Sequence, residues 1–201
     1  MKQDFDIAVV GGGLAGLSLA IQCAVAGYRT ILFEKETYPF QKVCGEYISN
    51  ESLPFLEKIG VPISSWGLPN INELKISAPN GNVYQFSLPL GGFGVSRYKL
   101  DEYLYCIALS KGVTVMTGTK VQDIIFKSDG FEIKTDQSVY YSKIAAGSFG
   151  KRSNLDIHLA RPFVKAKPNV LNNFIGVKYH IRYPHPTNQI ALHNFSQGYG
   201  G

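Results

Sequence analysis

A glycine-rich turn near the N-terminus constrains the fold of this 201-residue chain more than any other feature. Residues 11–16 read Gly-Gly-Gly-Leu-Ala-Gly, which has the spacing G-x-G-x-x-G, and they follow the short apolar run Ile7–Val10. Glycines at this spacing allow a tight turn out of a strand, a close approach of the backbone to a pyrophosphate and close packing of a helix on the strand. The pattern therefore predicts a phosphate-binding turn, to which we assign Gly11, Gly13, Leu14, Ala15 and Gly16.

The residues after the turn complete a strand-helix-strand unit. Leu14–Ala26 has no proline and many alanines and leucines, which predicts a helix, and Gly27 stands where the helix should end. Thr30–Phe33 predicts a second buried strand, and Glu34 follows directly after it. A carboxylate at that position accepts hydrogen bonds from ribose hydroxyls and repels a 2′-phosphate. We therefore expect the ADP part of FAD or NAD, and not of NADP, to bind here, with Glu34 and Lys35 among its contacts.

The rest of the chain predicts an α/β fold with additional antiparallel strands. Two alternating runs between residues 73 and 87 flank Asn80-Gly81, which is the strongest short signal for a β-hairpin. Residues 1–153 are expected to form a Rossmann-like nucleotide-binding domain with a parallel sheet, a βαβ unit and the hairpin near 73–87 as an insertion. Residues 154–201 are expected to begin a β-rich substrate domain. The other predicted elements are helices at 52–59 and 100–110 and strands at 113–116, 121–126, 131–135, 139–141, 144–146, 176–182 and 189–195.

The charge distribution bears on the partners of the chain. The net charge is +5, and residues 151–201 hold seven Lys or Arg residues with a single acid, Asp156. Such a basic segment suits a solvated face, a phosphate, an anionic substrate or a membrane surface, so peripheral membrane contact stays open. No basic run reaches five residues and no nucleic-acid motif is present. We therefore expect no nucleic-acid partner.

Cysteine content and apolar segments predict a cytoplasmic protein without a metal site. Three cysteines with no C-x-x-C pair indicate neither a disulfide framework nor a zinc site, and a reducing compartment is then the default. The N-terminus carries acids where a signal peptide requires basic residues. Leu14–Phe33 is mostly apolar, but its glycines and Arg29 favour a buried helix and strand over an integral membrane segment.

Three further segments carry a family resemblance. Residues 42–46 read Lys-Val-Cys-Gly-Glu, residues 97–104 read Arg-Tyr-Lys-Leu-Asp-Glu-Tyr-Leu, and residues 147–153 read Gly-Ser-Phe-Gly-Lys-Arg-Ser. They resemble the K-x-C-G-[DE], R-x-x-[LF]-D-x-x-L and G-A-D-G-x-x-S segments of the FAD-dependent monooxygenase and geranylgeranyl reductase superfamily, whose prototype is p-hydroxybenzoate hydroxylase. The resemblance implies that FAD is the cofactor. It also implies an FAD-dependent oxidoreductase, either a monooxygenase or a reductase, that acts on an apolar or aromatic small molecule.

The resemblance further implies which residues lie along the cofactor. In the family the segment around Gly147 includes an aspartate linked to both FAD and NAD(P)H, and Phe149 replaces it here. NAD(P)H is therefore kept only as a candidate external electron donor. The residues carried over as cofactor-binding are Lys42, Cys44, Gly45 and Arg97 on the flavin side, together with Val121 and Gly147.

No catalytic residue can be assigned from the sequence with a clear role. Cys44 is a weak candidate, because no histidine or second cysteine lies near it in the sequence, and free cysteines are most often small buried apolar residues. The four histidines have no metal-binding spacing and no evident acid partner. Such lone histidines usually make structural hydrogen bonds.

Two other functions stay open. An NAD-dependent dehydrogenase would share the glycine turn, but residues 42–46 and 97–104 would have no role in it. A truncated, inactive nucleotide-binding fragment is the second alternative, because the family continues with a Gly-Asp motif at the flavin ribityl chain and no Gly-Asp dipeptide occurs here. We therefore expect the chain to be about the first half of a longer protein. The sequence leaves the substrate, the oligomeric state and the choice among reductase, monooxygenase and halogenase-like chemistry open.

Overall fold

The computed structural model describes residues 4–151, 153–165 and 175–201. Packing divides the chain into two compact units: Met1–Gln41 with Tyr98–Ile175, and Lys42–Arg97 with Gly176–Gly201. The domain boundary expected between residues 153 and 154 concerns the domains of the whole protein and stays a prediction. In chain order the elements are β1 (Phe5–Val10), α1 (Leu14–Val25), β2 (Thr30–Phe33), β3 (Tyr47–Ser49), α2 (Leu53–Lys58), β4 (Asn70–Ser77), β5 (Val83–Gly94), α3 (Arg97–Ser110), β6 (Thr114–Met116), β7 (Val121–Lys127), β8 (Gly130–Thr135), β9 (Val139–Gly147), α4 (Asn154–His158), α5 (Pro162–Lys165), β10 (Gln189–Phe195) and β11 (Gly198–Gly200).

The first unit is built on a six-stranded sheet in the order β6-β2-β1-β9-β8-β7. β1 runs parallel to its neighbours β2 and β9, and β2 runs parallel to β6. The strands β7, β8 and β9 pair antiparallel. Ile7–Val10 and Thr30–Phe33 are buried, as their apolar sequences require of strands at the centre of a sheet. The α/β fold class with its strand-helix-strand unit is confirmed.

A hydrophobic core holds the ends of β1 and β2 in place. Residues two apart in a strand share one face of the sheet, so Ala8 and Val10 of β1 lie beside Ile31 and Phe33 of β2. Burial of a valine, isoleucine or phenylalanine side chain contributes about 1.5–3 kcal/mol to the stability of the fold. The members of this cluster are Ala8, Val10, Ile31, Phe33, Val121, Ile133 and Leu155. It fixes the two strand ends from which the glycine turn and Glu34 emerge.

The second unit contains a five-stranded sheet in the order β11-β10-β4-β5-β3. β4 and β5 form an antiparallel hairpin in which Glu73 lies opposite Ser87. At its turn the N–H of Ala78 donates to the carbonyl oxygen of Asn82 at 2.9 Å, and Gly81 has a φ of 87°. That left-handed conformation is the reason for glycine at this position. β10 pairs with the other side of β4, in parallel.

One predicted strand is wrong. Residues 176–182 form no regular strand, and the side chains of Val177, Tyr179 and Ile181 are largely exposed. Their alternation matches a strand pattern, but a strand also needs a neighbour with which it exchanges backbone hydrogen bonds. Alternation alone could not reveal that this neighbour is missing among the described residues.

The strands predicted at 139–141 and 144–146 are a single strand, β9. Of the two polar residues between them, Ser142 pairs with Phe5 of β1 and Phe131 of β8. It is completely buried, and its hydroxyl donates to the carbonyl oxygen of Ile144 at 2.9 Å. A buried serine with a satisfied hydroxyl does not interrupt a strand.

Candidate functional site

The glycine turn follows β1 and depends on the absence of side chains. Gly11 has a φ of 106°, a conformation that favours glycine, and its N–H donates to the carbonyl oxygen of Phe33 at 2.8 Å. A Cβ atom on Gly16 would lie 1.9 Å from the carbonyl oxygen of Gly11. The first turn of α1 therefore packs directly on the turn that precedes it.

The N-terminus of α1 provides backbone donors without a side-chain cap. Gly13 is the N-cap residue, no side chain accepts a hydrogen bond there, and the first turn of the helix holds no acid. The first N–H groups of a helix have no acceptor within the helix, and they lie at the positive end of the helix dipole. The segment that begins at Gly13 therefore suits an anion such as a diphosphate.

Glu34 lies at the carboxyl end of β2 and is buried against the turn. Its Oε2 atom accepts a hydrogen bond of 2.9 Å from the N–H of Gly12, and its Oε1 atom accepts one of 3.1 Å from the N–H of Glu36. Its own N–H donates to the carbonyl oxygen of Met116 at 2.9 Å. Since each carboxylate oxygen has a second lone pair, Glu34 retains acceptor capacity for a sugar hydroxyl.

Two residues with no role predicted from the sequence form hydrogen bonds with the backbone of the turn. The hydroxyl of Tyr38 donates to the carbonyl oxygen of Gly12. The hydroxyl of Ser148 lies 2.8 Å from the carbonyl oxygen of Gly11 and 3.1 Å from that of Val10. Neither residue carries a sequence signal for this position, because both contacts join segments that are far apart in the chain.

Three other residues of the first unit that were predicted to bind the cofactor lie in different environments. Gly147 pairs with Val10, the last residue of β1, and the ring of Phe149 covers the position that a Gly147 side chain would take. Val121 is buried in the hydrophobic core, so only its backbone can face a ligand. Lys35 is exposed and pairs with Glu36, with 3.7 Å between Nζ and Oε1.

The predicted flavin-side residues lie in the second unit, where Glu46 contacts two of them, Arg97 and Cys44. Its Oε1 atom accepts a hydrogen bond of 3.0 Å from the N–H of Arg97, and Lys178 forms an ion pair with the same oxygen. His180 lies 3.6 Å from Oε2. The thiol sulfur of Cys44 accepts a hydrogen bond of 3.4 Å from the N–H of Glu46.

The charge of Glu46 is stabilised by this environment. Burial raises the pKa of its carboxyl group. The hydrogen bonds from Lys178 and Arg97 and the nearby charges lower that pKa by more than burial raises it. The net result is a pKa below the usual value of 4.5. Glu46 also has a φ of 59°, a conformation that few residues other than glycine adopt.

The remaining two residues of this segment differ in their exposure to solvent. Gly45 is exposed, and a Cβ atom there would meet no atom within 4 Å. Lys42 is half-buried. The side chains of Cys23, Cys44 and Cys106 are all free thiols, and burial raises the pKa of the Cys23 thiol.

A metal-binding cluster and a membrane-spanning helix are both absent from residues 4–151, 153–165 and 175–201. Those ranges contain no cluster of three or more His, Cys, Asp or Glu side chains that could hold a metal ion. They also contain no helix with the length and apolar character needed to cross a membrane.

Comparison with known proteins finds reductases among the relatives of this chain. A menaquinone reductase from Mycolicibacterium smegmatis is 30% identical over 136 residues, which are 65% of this chain and 33% of that protein. A digeranylgeranylglycerophospholipid reductase from Methanopyrus kandleri is 33% identical over 114 residues, which are 56% of this chain and 28% of that protein. The chain therefore spans about a third of the length of these curated relatives.

A solved structure and a family model agree with these relatives. The halogenase PltM, solved in complex with phloroglucinol and FAD, superposes with a TM-score of 0.67 at 17% identity, over 79% of this chain and 37% of that one. At that identity the likeness shows the fold. The family model described as pyridine nucleotide-disulphide oxidoreductase matches residues 8–179. The expected resemblance to flavin-dependent reductases and oxygenases is thereby confirmed, and this chain belongs to the pyridine nucleotide-disulphide oxidoreductase family, whose members are FAD-dependent oxidoreductases.

Proposed function

We propose that the first unit binds the ADP part of FAD. The observation that carries this proposal is the joint placement of Glu34 and the N-terminus of α1 at one glycine turn. The helix offers donors to the diphosphate, and the carboxylate offers acceptors to the ribose. Side chains at Gly12 and Gly16 would collide with atoms of Tyr38, Glu34, Gly11 and Ser148, so glycine at both positions is required for the tight packing that gives the turn its shape.

Individual roles follow from the contacts. The N–H groups of Leu14, Ala15 and Gly16 would donate to the phosphate oxygens, since helix geometry leaves them without an intrahelical acceptor. Gly11 and Gly13 provide the turn. Lys35 and the backbone of Val121 would lie along the adenosine, and the backbone of Gly147, at the end of β9 beside β1, would be a further contact.

The family resemblance assigns four residues of the second unit to the flavin side of the cofactor. The residues are Lys42, Cys44, Gly45 and Arg97. The N–H of Arg97 donates to the carboxylate of Glu46, and the N–H of Glu46 donates to the thiol sulfur of Cys44. These two hydrogen bonds support a defined geometry for this segment. When bound, the flavin would supply the redox chemistry, and these residues would position it.

We propose that the whole protein reduces or oxygenates an apolar small molecule. The names of two relatives specify a quinone and a prenylated phospholipid as substrates, so an apolar, prenylated molecule is the first choice, ahead of an aromatic compound. NAD(P)H is the proposed external electron donor. A cytoplasmic location with peripheral contact to a membrane would give access to such a substrate, and the free cysteines agree with a reducing compartment.

Cofactor titration separates this proposal from its alternatives. The purified chain is titrated with FAD, ADP, NAD and NADP, and binding is followed by flavin fluorescence and by the melting temperature, which a bound ligand raises. FAD and ADP should bind, and NADP should not, because Glu34 repels the 2′-phosphate. Preference for NAD over FAD would favour a dehydrogenase, and binding of none of the four would favour an inactive fragment.

A further inference from the structure

The side chain of Tyr38 is held between the glycine turn and a helix. Its hydroxyl donates to the carbonyl oxygen of Gly12. Its ring stacks on that of Tyr105 of α3, with 4.6 Å between the ring centroids and 16° between the ring planes. Tyr38 is buried, whereas Tyr105 is half-buried. One aromatic pair thus connects α3 to the turn.

Tyr38 also determines the space around Gly12. A Cβ atom on Gly12 would lie 2.0 Å from the hydroxyl oxygen of Tyr38 and 2.8 Å from the Cβ atom of Glu34. On the same residue, the N–H donates to Glu34 while the carbonyl oxygen accepts from Tyr38. Both polar groups of Gly12 are therefore engaged by side chains, which leaves its backbone little rotational freedom.

The hydroxyl of Tyr38 also orients the N–H of Gly13, through the peptide group that joins Gly12 to Gly13. The carbonyl of Gly12 and the N–H of Gly13 belong to one planar peptide group, in which they point in opposite directions. A fixed Gly12 carbonyl therefore fixes the direction of the Gly13 N–H, at the residue that caps α1. Loss of the Tyr38 hydroxyl would allow this peptide group to rotate.

We propose that Tyr38, supported by Tyr105, is a positioning residue that holds the glycine turn in the shape that binds the nucleotide. This inference rests on the proposed function of the turn and adds a residue to it. Tyr38 acts through the backbone of Gly12 and Gly13 rather than by a catalytic contact. The stacked ring of Tyr105 keeps the hydroxyl in place.

The test compares paired variants of the chain. Tyr38→Phe removes the hydroxyl and keeps the ring, Tyr105→Leu removes the stacked ring, and Tyr105→Phe keeps it. Tyr28→Phe is the matched control, since Tyr28 is exposed on the surface of the same unit. For each protein we would measure the Kd for FAD, the melting temperature without ligand, and the rates of amide hydrogen exchange of residues 11–16 without ligand.

We expect Tyr38→Phe to raise the Kd for FAD about three- to tenfold, the effect of one hydrogen bond. Amide exchange of the turn should accelerate in Tyr38→Phe and Tyr105→Leu. Tyr105→Phe and Tyr28→Phe should match the wild type in every measurement.

Two results would overturn the inference. One is a Tyr38→Phe variant that melts earlier but keeps the Kd and turn exchange rates of the wild type, since Tyr38 would then have a structural role alone. The other is failure of the wild type itself to bind FAD, which refutes the proposed function and this inference with it. The first result is confined to the variant and the second affects every protein in the series, so the two failures are distinguishable.

Discussion

The N–H of Gly12 donates a 2.9 Å hydrogen bond to the Oε2 atom of Glu34, and this contact links the end of β2 to the turn after β1. It holds the carboxylate of Glu34 against the backbone of the glycine turn. The carboxylate is buried, so its charge acts in a medium that screens it less than water does. The first prediction concerns this group.

Glu34→Gln should weaken binding of FAD about five- to tenfold, since a hydrogen bond to a charged acceptor contributes more than one to a neutral amide. The amide keeps the shape of the side chain, and its oxygen can still accept from Gly12, whereas its NH2 group cannot accept from the N–H of Glu36. The fold should therefore persist with some loss of stability. Fluorescence titration measures the effect. Glu36→Gln is the control, because Glu36 is an exposed neighbour, and an equal loss in both variants would contradict a specific role for Glu34.

Gly13→Val should abolish FAD binding while the protein stays folded. Gly13 has φ −79° and ψ −173°, an extended conformation that valine adopts readily, so the backbone is not strained. The loss would come from a side chain in the space of the diphosphate. Gly198→Val is the control, since a Cβ atom there meets no atom within 4 Å. Retention of FAD by Gly13→Val, measured by flavin absorbance after gel filtration, would count against the site.

Gly16→Ala should lower the free energy of unfolding by at least about 2 kcal/mol, as overpacking in a rigid region does. The added methyl group would lie 1.9 Å from the carbonyl oxygen of Gly11 and 2.6 Å from the hydroxyl of Ser148. Chemical denaturation measures this change. Gly198→Ala should change stability by only about 0.5 kcal/mol, and a similar small effect at Gly16 would contradict the close packing of α1 on the turn.

The stability of the second unit should fall at low pH because Glu46 becomes protonated. Its pKa in the folded state is below 4.5, so its contribution is complete above that pH and is lost as the pH falls through the folded-state value. Glu46→Gln should lower the free energy of unfolding by about 1–2 kcal/mol at pH 7, because Lys178 and Arg97 lose a charged acceptor. The variant should also lose the part of the pH dependence that comes from Glu46. Denaturation midpoints measured from pH 7 to pH 3 test this, and parallel curves for both proteins would refute it.

Local patterns were sufficient for much of the fold. The strand Thr30–Phe33 and the strand Gln189–Phe195 have the predicted bounds, because continuous apolar runs or clean alternation between turn residues leave little choice. The helix predicted over Leu14–Ala26 ends one residue earlier, at Val25, and Gly27 follows the C-cap residue Ala26 with a φ of 87°. Periodicity and glycine chemistry are local properties, so the sequence reports them directly.

Features that depend on distant partners could not be predicted in this way. The contact of Tyr38 with Gly12 and that of Ser148 with Gly11 join separate elements, and no pattern marks either residue. Residues 176–182 alternate like a strand, yet Lys178 and His180 instead face Glu46. In each case the fold supplies the partner, and sequence spacing carries no information about it.

A crystal structure of this chain with bound FAD would show whether the glycine turn and Glu34 hold the nucleotide. We expect the diphosphate to lie within hydrogen-bond distance of the N–H groups that open α1, and the carboxylate of Glu34 to accept a hydrogen bond from the adenosine ribose. A nucleotide bound elsewhere on the chain, with Glu34 still facing only the N–H groups of Gly12 and Glu36, would contradict this expectation.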